Sequence, residues 1–331
     1  MTVLVEVKAR FDEQNNVHWA RTLEQMGCHV IYGLKGLKTH TKITLVIRRD
    51  EDGIRRYLHL GTGNYNDVTA HFYTDMGLFT SHRELGVDAT NLFNMLSGYS
   101  KPPYFRELRI SPKHIREFIN QKIDNEIAIA KAGRKAEIHM KMNSLSDPQI
   151  IEKLYEASNA GVKIHLIIRG ICCLKTDIPG VSDNIEVHSI VGRLLEHSRI
   201  YYFYNDGNDE IYLSSADMMK RNLNRRVETL FPVLQPDLKQ RAKDIYAKMW
   251  EDNIKARILH GDEYSMIDRR GKEAVNSQEF FIKQAEEKNQ LLKEEKEQEK
   301  EQEKAARADT FEVMRREDEE ITLKEGQSQD E

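Results

Sequence analysis

Two histidines, each followed two positions later by a basic residue, are the side chains of this sequence best suited to chemistry. Lys42 follows His40, and Arg199 follows His197. An imidazole nitrogen is a competent nucleophile near neutral pH, and fixed cations stabilise charge on a transferring phosphoryl group. A single His-x-Lys pair often arises by chance, so either pair alone would mean little.

The two pairs lie in segments that repeat each other in chemistry and spacing. Arg10, at the end of an apolar strand, precedes His40 by 30 residues, and Arg169 precedes His197 by 28. Both segments have the same order of arginine, histidine and cation, which makes a chance match far less probable than for one pair. We therefore interpret the chain as two related units.

Each unit ends in a turn of small residues, GTGN at 61–64 and SSAD at 214–217. Small side chains let backbone N–H groups approach an anion. The first turn ends in Asn64 where the second ends in Asp217, and we predict that Asn64 helps to bind phosphate.

Pairing of the units by pseudo-two-fold symmetry predicts one cleft that holds both imidazoles. Because alternate residues of a strand face the same side, each histidine should point with the cation two positions on. Arginine grips phosphate oxygens in pairs and lysine supplies a point charge. The predicted cations are Arg10, Lys42, Arg169 and Arg199. This set favours phosphoryl transfer through a phosphohistidine.

Apolar strands alternate with helices around these residues, which is typical of a sheet covered on both faces. Helices are predicted at 15–27, with Trp19, Leu23 and Met26 on one face, from Ser111-Pro112 to Gly133, and at 148–160. Ser111 and Asp147 are the expected N-caps. Strands are predicted at 3–10, 28–34, 42–49, 57–63, 136–143 and 162–170, with a linker at 97–108.

We therefore predict an α/β fold of two domains, 1–106 and 107–270, and a Glu/Lys/Gln-rich tail at 271–331 that is helical or disordered. The helix before the second unit has no counterpart before Val3. On this ground we expect the first domain to be truncated at its start.

Composition excludes several classes of protein. The 331 residues carry a net charge of -4, and residues 1–280 carry +3, which argues against a broad nucleic-acid surface. No run of apolar residues is long enough for a transmembrane helix. Cys28, Cys172 and Cys173 form no CxxC motif, so we expect free thiols in a reducing cytosol rather than disulfides or a zinc site.

At these residues the chain resembles the bacterial polyphosphate kinase family, whose catalytic half belongs to the phospholipase D superfamily. The matching stretches cover about residues 2–265 and include GLKTHTKI, YLHLGTGNYND, FYTDMGLF, GVKIHLIIRGICCL and SDNIEVHSIVGRLLEHSRIY. The resemblance implies two phospholipase D-like α/β domains. It also implies reversible transfer of the terminal phosphate of ATP to inorganic polyphosphate.

The resemblance assigns roles to individual residues. His40 would be phosphorylated, and His197 would transfer a proton or stabilise the nucleotide phosphates. Arg10 would lie at the magnesium–phosphate site. Tyr73 and Arg169 would contact ATP, although Tyr73 has packing in the core as its alternative. Mg²⁺, ATP or ADP, and polyphosphate are the implied cofactor and ligands, with no nucleic acid.

The resemblance also implies a location and an assembly: the cytoplasm or the periphery of the inner membrane, and a homo-oligomer in full-length members. Those enzymes are about twice this length. Because parts of their pocket have no match here, we expect weak or absent activity for the isolated chain.

Two alternatives remain. A phosphodiesterase of the phospholipase D type would carry HxKxxxxD in both halves, but Ile47 and Tyr204 occupy the aspartate positions. A truncated remnant that binds polyphosphate or nucleotide without catalysis is the other alternative.

Overall fold

The computed structural model describes residues 1–7, 13–51, 53–98 and 104–327, with side chains up to residue 304 apart from residue 303. One compact unit comprises residues 1–276, and a second begins at Ser277. The first contains both sequence repeats. The predicted boundaries at residues 106 and 270 stay predictions.

The first repeat forms two small sheets and their helices. Strands β1 and β2 pair in parallel, and β4, β5 and β7 form an antiparallel sheet. The elements are β1 (Thr2–Val5), α1 (Glu13–Gln25), β2 (His29–Tyr32), β3 (Lys38–Thr39), β4 (Lys42–Asp50), β5 (Gly53–Gly61), α2 (Asp67–Ala70), β6 (Tyr73–Thr74), β7 (Gly77–Thr80) and α3 (Arg83–Leu96).

The second repeat forms one nine-stranded mixed sheet in the order β18-β17-β11-β10-β9-β13-β14-β16-β8. Its elements are β8 (Arg109–Ile110), α4 (His114–Lys131), β9 (Glu137–Met142), α5 (Pro148–Asn159), β10 (Lys163–Ile168), β11 (Ile185–Ile190), β12 (Leu195–Glu196), β13 (Ile200–Phe203), β14 (Glu210–Ser214), α6 (Lys220–Arg225), β15 (Arg226–Val227), β16 (Thr229–Pro232), α7 (Pro236–Trp250), β17 (Ala256–His260) and β18 (Glu263–Met266). Strands β12 and β15 lie outside this sheet.

The core of the second repeat follows from its sequence pattern. Helix α4 turns a stripe of isoleucines inward, which packs on the apolar side chains of β9 and β10. Asp147 caps α5 as predicted, since its side chain accepts the N–H of Ile150 at 3.3 Å. Strands buried on both faces explain the nearly continuous apolar runs in this half.

The two repeats differ in how their sheets are connected. In the second repeat β9 lies between β10 and β13 and joins the parallel strands to the antiparallel ones. Among the described residues of the first repeat, no strand pairs with both β1 and β4. The sheet of β1 and β2 is therefore separate from the sheet of β4, β5 and β7.

Two local predictions were wrong, both about helix caps. Helix α1 includes residue 13, so Asn15 and Asn16 lie inside it. The face of α1 that carries Trp19 and Met26 is largely exposed, at 54% and 75%. The two-stranded sheet offers that face little to pack on. Ser111 does not cap α4; its hydroxyl instead donates to the carbonyl of Arg226 at 2.8 Å.

One buried carboxylate holds the carboxyl-terminal end of the predicted linker at 97–108. Asp88, on α3, accepts the backbone N–H groups of residues 106, 107 and 108 at 3.0, 2.7 and 2.9 Å. Residues 99–103 lie outside the described part of the chain. The segment entering the second repeat is therefore held against the first.

The tail, whose predicted state was a helix or disorder, contains α8 (Ser277–Gln327). Within the described residues, no helix combines the length and the apolar character that crossing a membrane requires.

Candidate active site

His40 lies between β3 and β4 and is held by an acid from the other repeat. Its Nδ1 lies 2.8 Å from Oε2 of Glu228, which follows β15 and is fully buried. Glu228 also accepts hydrogen bonds from Ser215 Oγ at 2.5 Å and Asn222 Nδ2 at 2.6 Å. These contacts fix the carboxylate, and the carboxylate in turn fixes the imidazole ring.

His197 has the reciprocal arrangement. Its Nδ1 lies 2.8 Å from Oδ2 of Asp75, which follows β6 in the first repeat. Asp75 also accepts a hydrogen bond from Thr62 Oγ1 at 2.6 Å. A side chain at Gly63 would place its Cβ 2.7 Å from the Cβ of Asp75. The small-residue turn at 61–64 thus makes room for this carboxylate.

Backbone contacts between the two repeats show the same reciprocal arrangement. Strand β3 pairs in parallel with β15, and β6 pairs with β12. The carbonyl of Val227 accepts the N–H groups of His40 and Thr41, just as the carbonyl of Thr74 accepts those of His197 and Ser198. Each acid therefore follows the carbonyl that holds the opposite histidine, which is pseudo-two-fold symmetry at atomic detail.

Each histidine also keeps its cation. Lys42 Nζ donates to the carbonyl of His40, and Arg199 Nη1 donates to the carbonyl of His197 at 2.8 Å. Arg199 is fixed by Asp217, with both nitrogen–oxygen distances at 3.2 Å, and reaches the carbonyl of Thr62 at 3.2 Å. Strand alternation is not the cause, because both histidines precede their strands.

The electrostatics of the two repeats are coupled. Burial lowers the pKa of His40 to about 4, against the opposing effect of Glu228, and the charges of Lys42 and Arg199 lower it further. Burial likewise lowers the pKa of His197, and Arg199 and Lys42 act in the same direction. His40 is thus neutral at pH 7, with Nδ1–H donating to Glu228 and the lone pair on Nε2.

Of the other predicted site residues, some contact the histidine segment and some do not. Tyr73 lies on β6 with its ring centroid 4.8 Å from that of His197. Arg169 Nε donates to Asn143 Oδ1 at 3.0 Å and to the carbonyl of Glu196 at 3.1 Å. Asn64 is exposed, unlike Asp217, so the two turns differ in their contacts. Arg10 lies outside the described residues.

Sequence reasoning missed both acids of the histidine pairs. Asp75 stands two residues after Tyr73 in FYTDMG, and Glu228 stands in RRVETLF. Each acid belongs to one repeat and holds the histidine of the other. The two become partners only where the repeats meet in the folded chain.

The described residues do not form a magnesium cage by themselves. Among them, no group of three or more histidine, cysteine or acidic side chains is arranged to hold a metal ion. Asp75, Asp217 and Glu228 are instead occupied by histidine or arginine. The predicted Mg²⁺ stays a prediction.

Two known protein families match this chain, one over each repeat. The family described as "Polyphosphate kinase C-terminal domain 1" matches residues 1–102, and "Polyphosphate kinase C-terminal domain 2" matches residues 108–278. A polyphosphate kinase of Lactiplantibacillus plantarum is 71% identical over 288 residues, which are 87% of this chain and 40% of that protein.

Solved structures agree with the fold. Polyphosphate kinase from Porphyromonas gingivalis superposes with a TM-score of 0.78 and 37% identity, over 88% of this chain and 45% of that one. Phosphatidylserine synthase of Haemophilus influenzae shares the fold alone, with a TM-score of 0.55 and 11% identity over 88% of this chain and 82% of its own. The predicted α/β class is confirmed by the fold shared with the polyphosphate kinase structure, and the reciprocal strand pairing of the two repeats agrees with the predicted pseudo-two-fold symmetry. The phospholipase D-like relationship and the domain bounds stay predictions.

The chain spans about two fifths of the length of the curated relatives it matches, 40% and 41% for two of them.

Proposed function

Because this chain belongs to the polyphosphate kinase family, we propose that it carries out the reversible transfer of the terminal phosphate of ATP to inorganic polyphosphate through a phosphohistidine. The observation that carries the proposal is the contact between His40 Nδ1 and Glu228 at 2.8 Å. It leaves the lone pair of a neutral imidazole on Nε2, which is the form a nucleophile needs.

In the first step, His40 Nε2 attacks the γ-phosphorus of ATP. The N–P bond forms as the P–O bond to ADP breaks, and ADP leaves with that electron pair. Glu228 holds the Nδ1 proton throughout and stabilises the positive charge that develops on the ring. Lys42 and Arg199 lie beside the histidines and suit the charge on the phosphoryl oxygens.

In the second step, a terminal oxygen of polyphosphate attacks the phosphohistidine. The P–O bond forms, the N–P bond breaks, and the electron pair returns to Nε2 of His40. His197, held by Asp75, serves proton transfer or stabilises the nucleotide phosphates. Tyr73 and Arg169 are the proposed ATP contacts, with Asn64 as a further phosphate ligand. Arg10 and Mg²⁺ remain predictions for the magnesium–phosphate region.

Incubation of the full chain with γ-labelled ATP tests this function. We expect one acid-labile label per chain, which His40→Ala abolishes and His29→Ala, a change at an exposed histidine, leaves in place. Label that persists in His40→Ala, or that withstands mild acid, would contradict the proposal. A chain that takes up label but does not elongate polyphosphate would support the expected weak activity.

A further inference from the structure

A buried lysine contacts the residues on both sides of His197. Lys141 lies on β9 and is 1% exposed. Its Nζ donates to the carbonyl of Ser198 at 3.1 Å and to Ser198 Oγ at 2.9 Å, and it lies 3.2 Å from Glu196 Oε2. An ammonium has three N–H donors, so these three acceptors satisfy all of them.

The same segment is joined to the acid that holds His197. Thr74 Oγ1 donates to Glu196 Oε2 at 3.1 Å, and the carbonyl of Thr74 accepts the N–H groups of His197 and Ser198 at 3.2 and 2.9 Å. Asp75 is the next residue along the chain. The buried ammonium is therefore bound to the segment that aligns ring and carboxylate.

In the first repeat, the residue after the histidine is Thr41, whose Oγ1 lies 2.9 Å from Thr229 Oγ1. The two cations that donate to the histidine carbonyls, Lys42 and Arg199, are common to both repeats.

The charge of Lys141 is part of the electrostatics of the site. Burial lowers its pKa, Glu196 acts in the opposite direction, Arg199 lowers it further and Asp75 raises it. A buried charge is costly unless it is paired and hydrogen-bonded, as this one is. The ammonium therefore responds to both charged partners of His197.

We propose that Lys141 is a positioning residue for His197. It fixes the backbone on both sides of the histidine, so that Nδ1 meets Asp75 and Nε2 lies 3.1 Å from Arg199 Nη1. The catalytic consequence rests on the proposed function, but the alignment of ring and carboxylate can be measured without any reaction.

Two variants of the full chain test this role. Lys141→Met removes the ammonium and keeps most of the side-chain volume, and Lys141→Met/Glu196→Gln also removes the charge that the first change leaves without its cation. NMR signals of the Nδ1–H groups of His197 and His40, assigned with His197→Gln and His40→Gln, report the two hydrogen bonds separately. Lys163→Met, at an exposed position on β10, is the matched control.

We expect both variants to lose the slowly exchanging His197 signal and to keep that of His40. We also expect kcat to fall by about 10²-fold with little change in KM for ATP, since a small misplacement of a reacting group costs about that much. The control should match the wild type in each measurement.

Three results would overturn the inference: an unchanged His197 signal in a folded variant, equal loss of both histidine signals, or failure of both variants to fold. The last would make Lys141 a residue of the core. If the wild-type chain transfers no phosphate, the proposed function fails, and the NMR comparison alone decides the role of Lys141.

Discussion

At the scale of single residues, the site consists of two histidines whose chemistry is set by carboxylates. An ionised carboxylate can accept hydrogen bonds but cannot donate them. Glu228 and Asp75 therefore determine which imidazole nitrogen carries the proton. In the proposed reaction, this orientation makes Nε2 of His40 the nucleophilic atom.

At this scale, the charge of Lys42 predicts a pH dependence of the rate at which His40 is labelled. Burial lowers its pKa to about 7, with Glu228 opposing and Arg199 reinforcing the decrease. The ammonium is charged below that pH and loses its charge above it. We therefore expect the rate of His40 labelling to fall by about tenfold for each pH unit above about 7.

Lys42→Arg is the matched variant, because a guanidinium stays charged over this range. Rapid-quench measurements of labelling should show the alkaline fall in the wild type and not in the variant. The same fall in both proteins would assign it to another group.

At the scale of elements, helix α7 is attached to the second sheet by a set of nearly parallel rings. Trp250 stacks on His188 at 3.9 Å and on His165 at 4.2 Å between ring centroids. His165 stacks in turn on His139 at 4.9 Å, and His139 on Tyr202 at 4.9 Å. These three histidine rings therefore belong to the packing between helix and sheet.

The two tryptophans of the chain allow a matched comparison. Trp250→Ala should lower the free energy of unfolding by about 2–4 kcal/mol, because it removes a large ring from the contact between helix and sheet. Trp19→Ala should change it by no more than about 0.5 kcal/mol, since that ring is mostly exposed. Chemical denaturation monitored by circular dichroism measures both, and equal losses would contradict the assigned role of Trp250.

At the scale of the whole molecule, each of the two site histidines is held by an acid of the other repeat, His40 by Glu228 and His197 by Asp75. The paired strands β3 with β15 and β6 with β12 exchange the acids between repeats. The stability of residues 1–276 and the geometry of the site are therefore linked.

The ring stack makes this global stability sensitive to acid. Burial lowers the pKa of His139 and of His165 from 6.5 to about 4, and nearby lysines lower it further. The unfolded chain therefore binds more protons between these values. Stability is fully present above pH 6.5 and is lost as the pH falls toward 4.

We expect His139→Phe/His165→Phe to unfold with a shallower pH dependence between pH 6.5 and 4 than the wild type. Each fully buried ring would contribute up to about 1.4 kcal/mol per pH unit, and these partly exposed rings contribute less. Thermal melts across the range measure the slope, with His29→Phe as the control. Identical slopes in all three proteins would exclude the stack as the source.

Local patterns in the sequence were enough to predict the α/β class, the duplication, the cap of α5 by Asp147 and the two histidines with their cations. These depend on spacing within one segment, where periodicity and side-chain chemistry act over a few residues. The predicted caps of α1 and α4 were wrong; the hydroxyl of Ser111 bonds instead to the carbonyl of Arg226, a distant segment that a local pattern does not show.

Tertiary structure alone decided the partners. Glu228 is 188 residues from His40 and Asp75 is 122 from His197, so no local rule connects them. Lys141 is an unremarkable strand lysine until folding buries it beside Ser198. A sequence specifies which groups are available, but hydrogen bonds between distant segments exist only after the chain has crossed, and that crossing makes the two repeats one site.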